Sequence, residues 1–129
     1  FQNISPSKYH WIGAGSGIRG AAYNYLVSKN FARCEIYLDR GDFDENKLVF
    51  DYLFERKAKI EEAFGGALEW ERLDDKRASR IKYENQNFSL YNKEQWDDMV
   101  VFLVDGMMRM ENAFKNPLKE VQRRLRSAN

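Results

Sequence analysis

Hydrophobic and polar positions change period several times along this chain, and each change marks an element. Over residues 31–40, Ala32, Cys34, Ile36 and Leu38 alternate with Arg33, Glu35, Tyr37 and Asp39. That is the period-two pattern of a half-buried strand, apolar on one face and charged on the other. Residues 22–27 also alternate and carry the rings of Tyr23 and Tyr25, which favours a second strand. A short apolar run at Tyr9, His10, Trp11 and Ile12 predicts a third, with a glycine-rich hairpin turn between it and residues 22–27. Residues 1–9, with Pro6, read as a leading loop.

From residue 48 the period becomes helical. Val49, Tyr52, Leu53, Ile60, Ala63 and Phe64 fall on one stripe, with Glu55, Lys59 and Glu62 opposite, which predicts one amphipathic helix. Asp44 is the expected cap, Asp42 and Glu45 suit the positive end, and Gly65 and Gly66 stop the helix. Residues 68–73 and 79–84 alternate again around the charged turn Asp74, Asp75, Lys76, Arg77, which predicts a β-hairpin with Ile81 and Tyr83 on one face. After a polar connection, Asn92 should cap a last helix built on Trp96, Met99, Val100, Leu103, Met107, Met110 and Phe114. Pro117 is expected to interrupt it, leaving Leu118, Val121 and Leu125 as a short amphipathic extension among Lys115, Lys119, Arg123, Arg124 and Arg126. The expected fold is α+β: an antiparallel sheet of about five strands in the order βββαββα, with two helices packed on one face.

Composition narrows the function classes. The 129 residues suit a single domain spanning 1–129, and 15% aromatics favour a well-packed core. A chain beginning at Phe1 reads as the C-terminal part of a longer protein. With a net charge of +1, no global field draws the chain to phosphate or to an anionic membrane, so any nucleic-acid contact needs a local patch. One cysteine and one histidine leave no internal disulfide and little for zinc, so a cytoplasmic domain without cofactor or structural metal is expected. No apolar run is long enough to span a bilayer, and no membrane partner is expected.

Three candidate chemistries arise. Gly15-x-Gly17-x-x-Gly20, with Asp39 about twenty residues on, matches the dinucleotide fingerprint in letters. It lacks the buried strand before the glycines and the helix after them, so the hairpin reading is preferred. Glu45-Asn46-Lys47 and Glu55-Arg56-Lys57 match the Glu-x-Lys of metal-dependent nucleases. Both fall at or in a helix, where surface charge is the simpler reading. His10 lacks a nucleophile partner in sequence, and Cys34 belongs to an apolar set, so catalysis is not expected. The remaining candidate is a partner or nucleic-acid surface: Arg33, Tyr37, Arg80 and Lys82 on one sheet face, joined by Lys76 and Arg77 at the turn. Interleaved Glu35, Glu69, Glu71 and Glu84 allow the alternative of a solvated face held by cross-strand ion pairs. Arg56 and Arg72 are expected to pair in a semi-buried network.

Over nearly its whole length the chain resembles the bacterial and archaeal family known as domain of unknown function 4268. The resemblance rests on Pro6, His10-Trp11, Gly15-Ser16-Gly17, and Glu35 through Leu38. It continues through Phe50 through Leu53, Ile60-Glu61, Phe64-Gly65, Leu68 through Glu71, Asp75 through Ile81, and Trp96. It implies a domain that often follows a restriction-endonuclease-like domain, hence an accessory role in a DNA-processing or defence protein with a fused upstream nuclease-like domain as partner. The expected function is a non-catalytic binding module contacting nucleic acid. The alternative is a protein-interaction or dimerisation module using the long C-terminal helix or a sheet edge.

Overall fold

Strand β3 (Ala32–Leu38) is buried on both faces except at Tyr37, and the other elements are arranged about it. The computed structural model describes residues 10–127, with side chains described from residue 16; the expected leading loop at 1–9 lies outside them. β1 (His10–Gly15) and β2 (Ala21–Val27) form an antiparallel hairpin across the glycine-rich turn, and β2 pairs in turn with β3. The other side of β3 takes β5 (Ser79–Asn85), which also pairs with the short β4 (Glu69–Glu71), giving the order β1-β2-β3-β5-β4. Gly20 has a φ of 79°, and a Cβ there would lie 2.3 Å from Arg40 Cγ, so this turn admits only glycine at that position.

The strand faces follow the alternation. Cys34 stands opposite Tyr25 and Tyr83, and Ile36 opposite Tyr23 and Ile81, so one face is apolar across three strands. Three helices cover it, not two. The helix expected as one piece is α1 (Phe43–Phe54) followed by α2 (Lys57–Phe64), broken at Glu55 and Arg56. The Arg56 N–H turns back to Leu53 O at 2.9 Å and its guanidinium donates to Tyr52 O at 2.8 Å, so side chain and backbone together close the turn. Within the expected stripe Tyr52 is half-buried and Ala63 exposed, while Phe50 joins the core. Asp42, not Asp44, caps α1, accepting from Glu45 N at 2.8 Å. Gly65 ends α2 with a φ of 92°.

The last helix, α3 (Trp96–Ser127), is 32 residues long and runs through Pro117 without stopping. Asn92 caps the 3-10 turn that leads into it, accepting from Glu94 N. Proline removes one N–H donor, but Phe114, Leu118 and Val121 stay buried on the same side and hold both halves to the core. Burying a large apolar side chain contributes about 1.5–3 kcal/mol, enough for this set to offset an interior proline costing about 3 kcal/mol. Rings knit the layers together. Trp70 on β4 meets Phe50, Phe54 and Phe114, and Tyr83 on β5 meets Phe64 and Phe102.

The crossing of α3 over β3 is tight at Gly106. A Cβ there would lie 2.9 Å from Cys34 Sγ and 3.1 Å from the Tyr83 ring, while the Cys34 thiol donates to Leu103 O at 3.3 Å. Burial, with Asp105 adding to it, pushes the thiol up to about 12, so Cys34 is an inert core residue. Gly106→Ala is expected to destabilise the domain by about 1–3 kcal/mol in urea melts. Cys34→Ala should recover part of that loss in the double variant. Fully additive losses would show that this contact does not set the helix-to-sheet distance.

Candidate binding surface

The residues expected to form a binding face are gathered by the strand register but are largely engaged with one another. Arg33 faces Glu84 across the β3–β5 ladder, Glu35 faces Lys82, and Tyr37 faces Arg80, all on the side away from the helices. Arg33 donates to Glu84 at 2.9 Å and to Glu35 at 3.2 Å, Arg80 to Glu71 at 2.5 Å, and Lys82 lies 3.5 Å from Glu71 and 3.4 Å from Glu84. Arg33 and Lys82 are each only 8% exposed. With Glu69 also on this face, four carboxylates meet three cations, and the face carries no surplus positive charge. Asn24 continues the network from β2 by donating to Glu35 at 3.1 Å.

Burial works to raise the Glu71 and Glu84 carboxyls, but the hydrogen bonds from Arg80 to Glu71 and from Gln86 and Arg33 to Glu84, with Lys82 close to both, outweigh it and hold both below their usual range. Tyr37, 37% exposed, is the one ring of the expected set open to solvent.

Lys76 and Arg77 lie at the end of the sheet, in the β4–β5 turn. Arg77 is committed to Asp39 through a two-pronged contact, with its Nη2 2.7 Å from Oδ2 and its Nε 3.1 Å from Oδ1. That bond, supported by Gly41 N and Asn46, brings the Asp39 carboxyl from 3.8 to about 2. Lys76 is exposed and has no ion-pair partner among the described residues.

Beneath the turn lies the Glu45-Asn46-Lys47 triplet, expected as surface charge. Lys47 on α1 is 3% exposed, and its ammonium is 2.6 Å from Arg72 O, 2.9 Å from Leu73 O, 2.8 Å from Ala78 O and 2.9 Å from Ser79 Oγ. Asn46, fully buried beside it, donates to Asp39 at 3.1 Å and Arg77 O at 2.9 Å, and accepts from Arg40 N at 2.6 Å. The Glu45-Asn46-Lys47 triplet is therefore not surface charge at Asn46 and Lys47, while its Glu45 is half-exposed and pairs with Arg40 at 2.8 Å. Its lysine is a buried clamp on a loop whose carbonyls turn inward. Leu73, at a φ of 58°, adopts the left-handed conformation that aims this loop at the ammonium. Burial, then the charge of Arg72, lowers the Lys47 pKa, while Asp74, Asp75 and Asp51 act against that.

Arg72 pairs with Asp51 at 2.9 Å and with Asp74, but at 41% exposure this network is solvated, not semi-buried. Arg56 stacks over the Tyr52 ring at 3.5 Å. The side chain of His10 lies outside the described residues. Among the described residues no group of three or more His, Cys, Asp or Glu side chains is placed to hold a metal.

Exposed cations free of the sheet network collect on the C-terminal half of α3. Lys115, Lys119, Arg123 and Arg126 are all exposed. At about 100° per residue they share a sector of about 80°. Arg123 touches Glu120 at 2.6 Å, an exposed pair of small energy, while Lys115 and Lys119 have no ion-pair partner among the described residues. Leu118, Val121 and Leu125 hold the opposite side of this segment against the core.

A family model described as Domain of unknown function (DUF4268) matches residues 1–118. No curated protein and no solved structure matches the chain. No helix among the described residues is long and apolar enough to cross a membrane.

Two outcomes follow from the polar networks. Among the described residues, Arg33→Ala leaves Glu35 held only by Asn24 and Glu84 only by Lys82 and Gln86, and should cost about 2–4 kcal/mol in chemical denaturation. A loss under 1 kcal/mol would show that the pairs are effectively solvated. Asp39 has a lowered folded pKa, so its contribution to stability is present above about 4, the ordinary carboxylate value, and is lost as pH falls through about 2. Asp39→Asn should therefore lower the melting temperature at pH 7 and flatten the acid limb between pH 4 and 2. An unchanged acid limb would remove the Asp39–Arg77 bond as its cause.

Proposed function

Since the chain belongs to the family described as Domain of unknown function (DUF4268), a membership that carries no chemistry of its own, we propose from its residues that it is a binding module. The module contacts nucleic acid through α3 and catalyses nothing, and it serves as an accessory to a nucleic-acid-processing protein. The observation that carries this reading is the alignment of Lys115, Lys119, Arg123 and Arg126 on one exposed sector of α3. Successive members at i and i+4 stand about 6 Å apart along the axis, a spacing that lets consecutive cations meet consecutive phosphates of one strand. The sheet face is a weaker candidate, because Arg33, Arg80 and Lys82 would have to leave carboxylates before they could meet a phosphate. Exposed Lys76 and Tyr37 remain available from the originally expected set. The family match ends at residue 118, so three of the four cations lie beyond it and the reading is one of this chain.

A second reading has its own support in the N-terminal half of α3. Val101 and Met108, seven residues apart, are 67% and 68% exposed and form an apolar seam that suits a second helix. A monomeric mass by light scattering at high concentration would remove that reading as a self-association.

Titration of a fluorescent oligonucleotide should show binding that weakens with salt. Four neutralised phosphates give a slope of log K on log salt between about −2.8 and −3.6. Replacing the four α3 cations by glutamine should abolish binding while leaving the urea midpoint nearly unchanged, since all four are exposed. Absence of binding at low salt, or binding indifferent to those changes, would sink the proposal.

A further inference from the structure

The glycine-rich turn, rejected as a dinucleotide fingerprint, nevertheless faces a groove with the chemistry of a phosphate site. The groove lies between the β1–β2 turn and α3, has a volume of about 340 Å³, and is lined by Ser16 and Ile18 of the turn, Tyr23 of β2, and Glu111, Lys115 and Lys119 of α3, with Leu118 at its base. We propose that this groove binds the phosphate monoester of a nucleotide, whether at the 5′ end of a strand or free in solution.

The argument rests on charge, donors and shape. Lys115 and Lys119 sit one helical turn apart, are exposed, and have no ion-pair partner among the described residues. Two ammonium groups match a monoester, which carries between about −1.5 and −2 at neutral pH, better than the single charge of a diester within a strand. The turn opposite them contributes Ser16 and Ile18 to the groove, and Gly17 between them supplies the positive φ of 80° that the turn needs. Ser16 is not itself a free donor, because its hydroxyl donates to Ala21 O at 2.7 Å and accepts from Ile18 N at 3.0 Å; its task is to hold the turn's shape.

Glu111 decides what else the ligand carries. A carboxylate beside the two lysines opposes a bare phosphate, and favours a ligand that brings a hydroxyl or amino donor next to its phosphate, as a ribose or a base does. Tyr23, raised to about 12 by burial and by Glu111, keeps its proton and remains a neutral donor in the same groove. The volume falls at the lower end of the range for small-molecule sites, about 300–1,000 Å³, which suits a mononucleotide unit and not a stacked run of bases. The lysine pair also begins the stripe that continues to Arg123 and Arg126, so a strand whose 5′ end lies toward the N-terminal side of that stripe would place its terminal phosphate here.

This inference rests on the strand-binding reading only for the choice between the two sources, and one set of titrations separates the possibilities. Single-stranded oligonucleotides of one sequence, carrying either a 5′-phosphate or a 5′-hydroxyl, are titrated into the full chain, with adenosine 5′-monophosphate and adenosine as competitors. The expected result is at least tenfold tighter binding of the 5′-phosphorylated strand, or displacement of a labelled nucleotide by the monophosphate but not by adenosine. The first assigns the strand end and the second the free nucleotide. Lys115→Gln with Lys119→Gln should erase that preference, while salt-dependent binding through Arg123 and Arg126 persists. Glu111→Gln should tighten inorganic phosphate and weaken the discrimination between phosphate and nucleotide. Equal binding of both strands with no competition by the monophosphate overturns the groove proposal and leaves the strand-binding reading standing. Competition by the monophosphate without any strand binding upholds the groove and removes the strand.

Discussion

A single buried ammonium holds one end of this fold. The segment from Arg72 to Ser79 must reverse direction to place β5 between β3 and β4, and in doing so it turns the carbonyls of Arg72, Leu73 and Ala78 into the protein. A carbonyl buried without a donor costs about 1–3 kcal/mol, so an inward loop of this kind needs a donor with several protons at one point. Lys47 supplies it, and Asn46 ties the same region to Asp39 and Arg40 at the end of β3. The sheet order therefore depends on two adjacent polar residues of α1 as much as on the apolar face.

The sheet divides its chemistry by face. On the helix side, Cys34, Ile36, Ile81 and the rings of Trp70 and Tyr83 make an apolar layer whose approach to α3 is set by Gly106. On the other side, cations and carboxylates alternate by register and neutralise one another across β3, β5 and β4. Such pairs resist being opened, because removing one partner strands a charge that is already out of water. Charge alone therefore does not identify a binding residue in this chain; the state of its partner does.

Much of this was legible in the sequence. Period-two alternation separated Ile36 from Arg33 and Glu35, the paired glycines at 65 and 66 marked the end of a helix, and the glycine-rich turn was a hairpin. The failures have specific physical causes. Glu55 and Arg56 carry no glycine or proline, so the break between α1 and α2 left no local signal and arises from the Arg56 side chain reaching back to Tyr52 O. Pro117 carries the strongest local signal for a stop, and tertiary packing of Phe114 and Leu118 overrides it. Glu45-Asn46-Lys47 reads as surface charge because it falls at the start of a helix. Yet Asn46 stands three, four and seven residues before Val49, Phe50 and Leu53, on the same buried stripe, and that spacing was the readable clue.

The partner criterion also bears on the proposed binding surface in a chain with a net charge of +1. Phosphate binding gains free energy by releasing counterions condensed on the nucleic acid, and a cation already bonded to a buried carboxylate must first break that bond. Exchanging Arg33 from Glu84 to a phosphate would forfeit a contact worth several kcal/mol for one screened by salt. Lys115 and Lys119 face no such exchange, and Arg123 gives up only an exposed pair worth about 0–1 kcal/mol. The polar sheet face and the α3 stripe thus draw on the same residue types for opposite ends: the first spends its charges internally to keep strands in register, and the second keeps them available to a ligand.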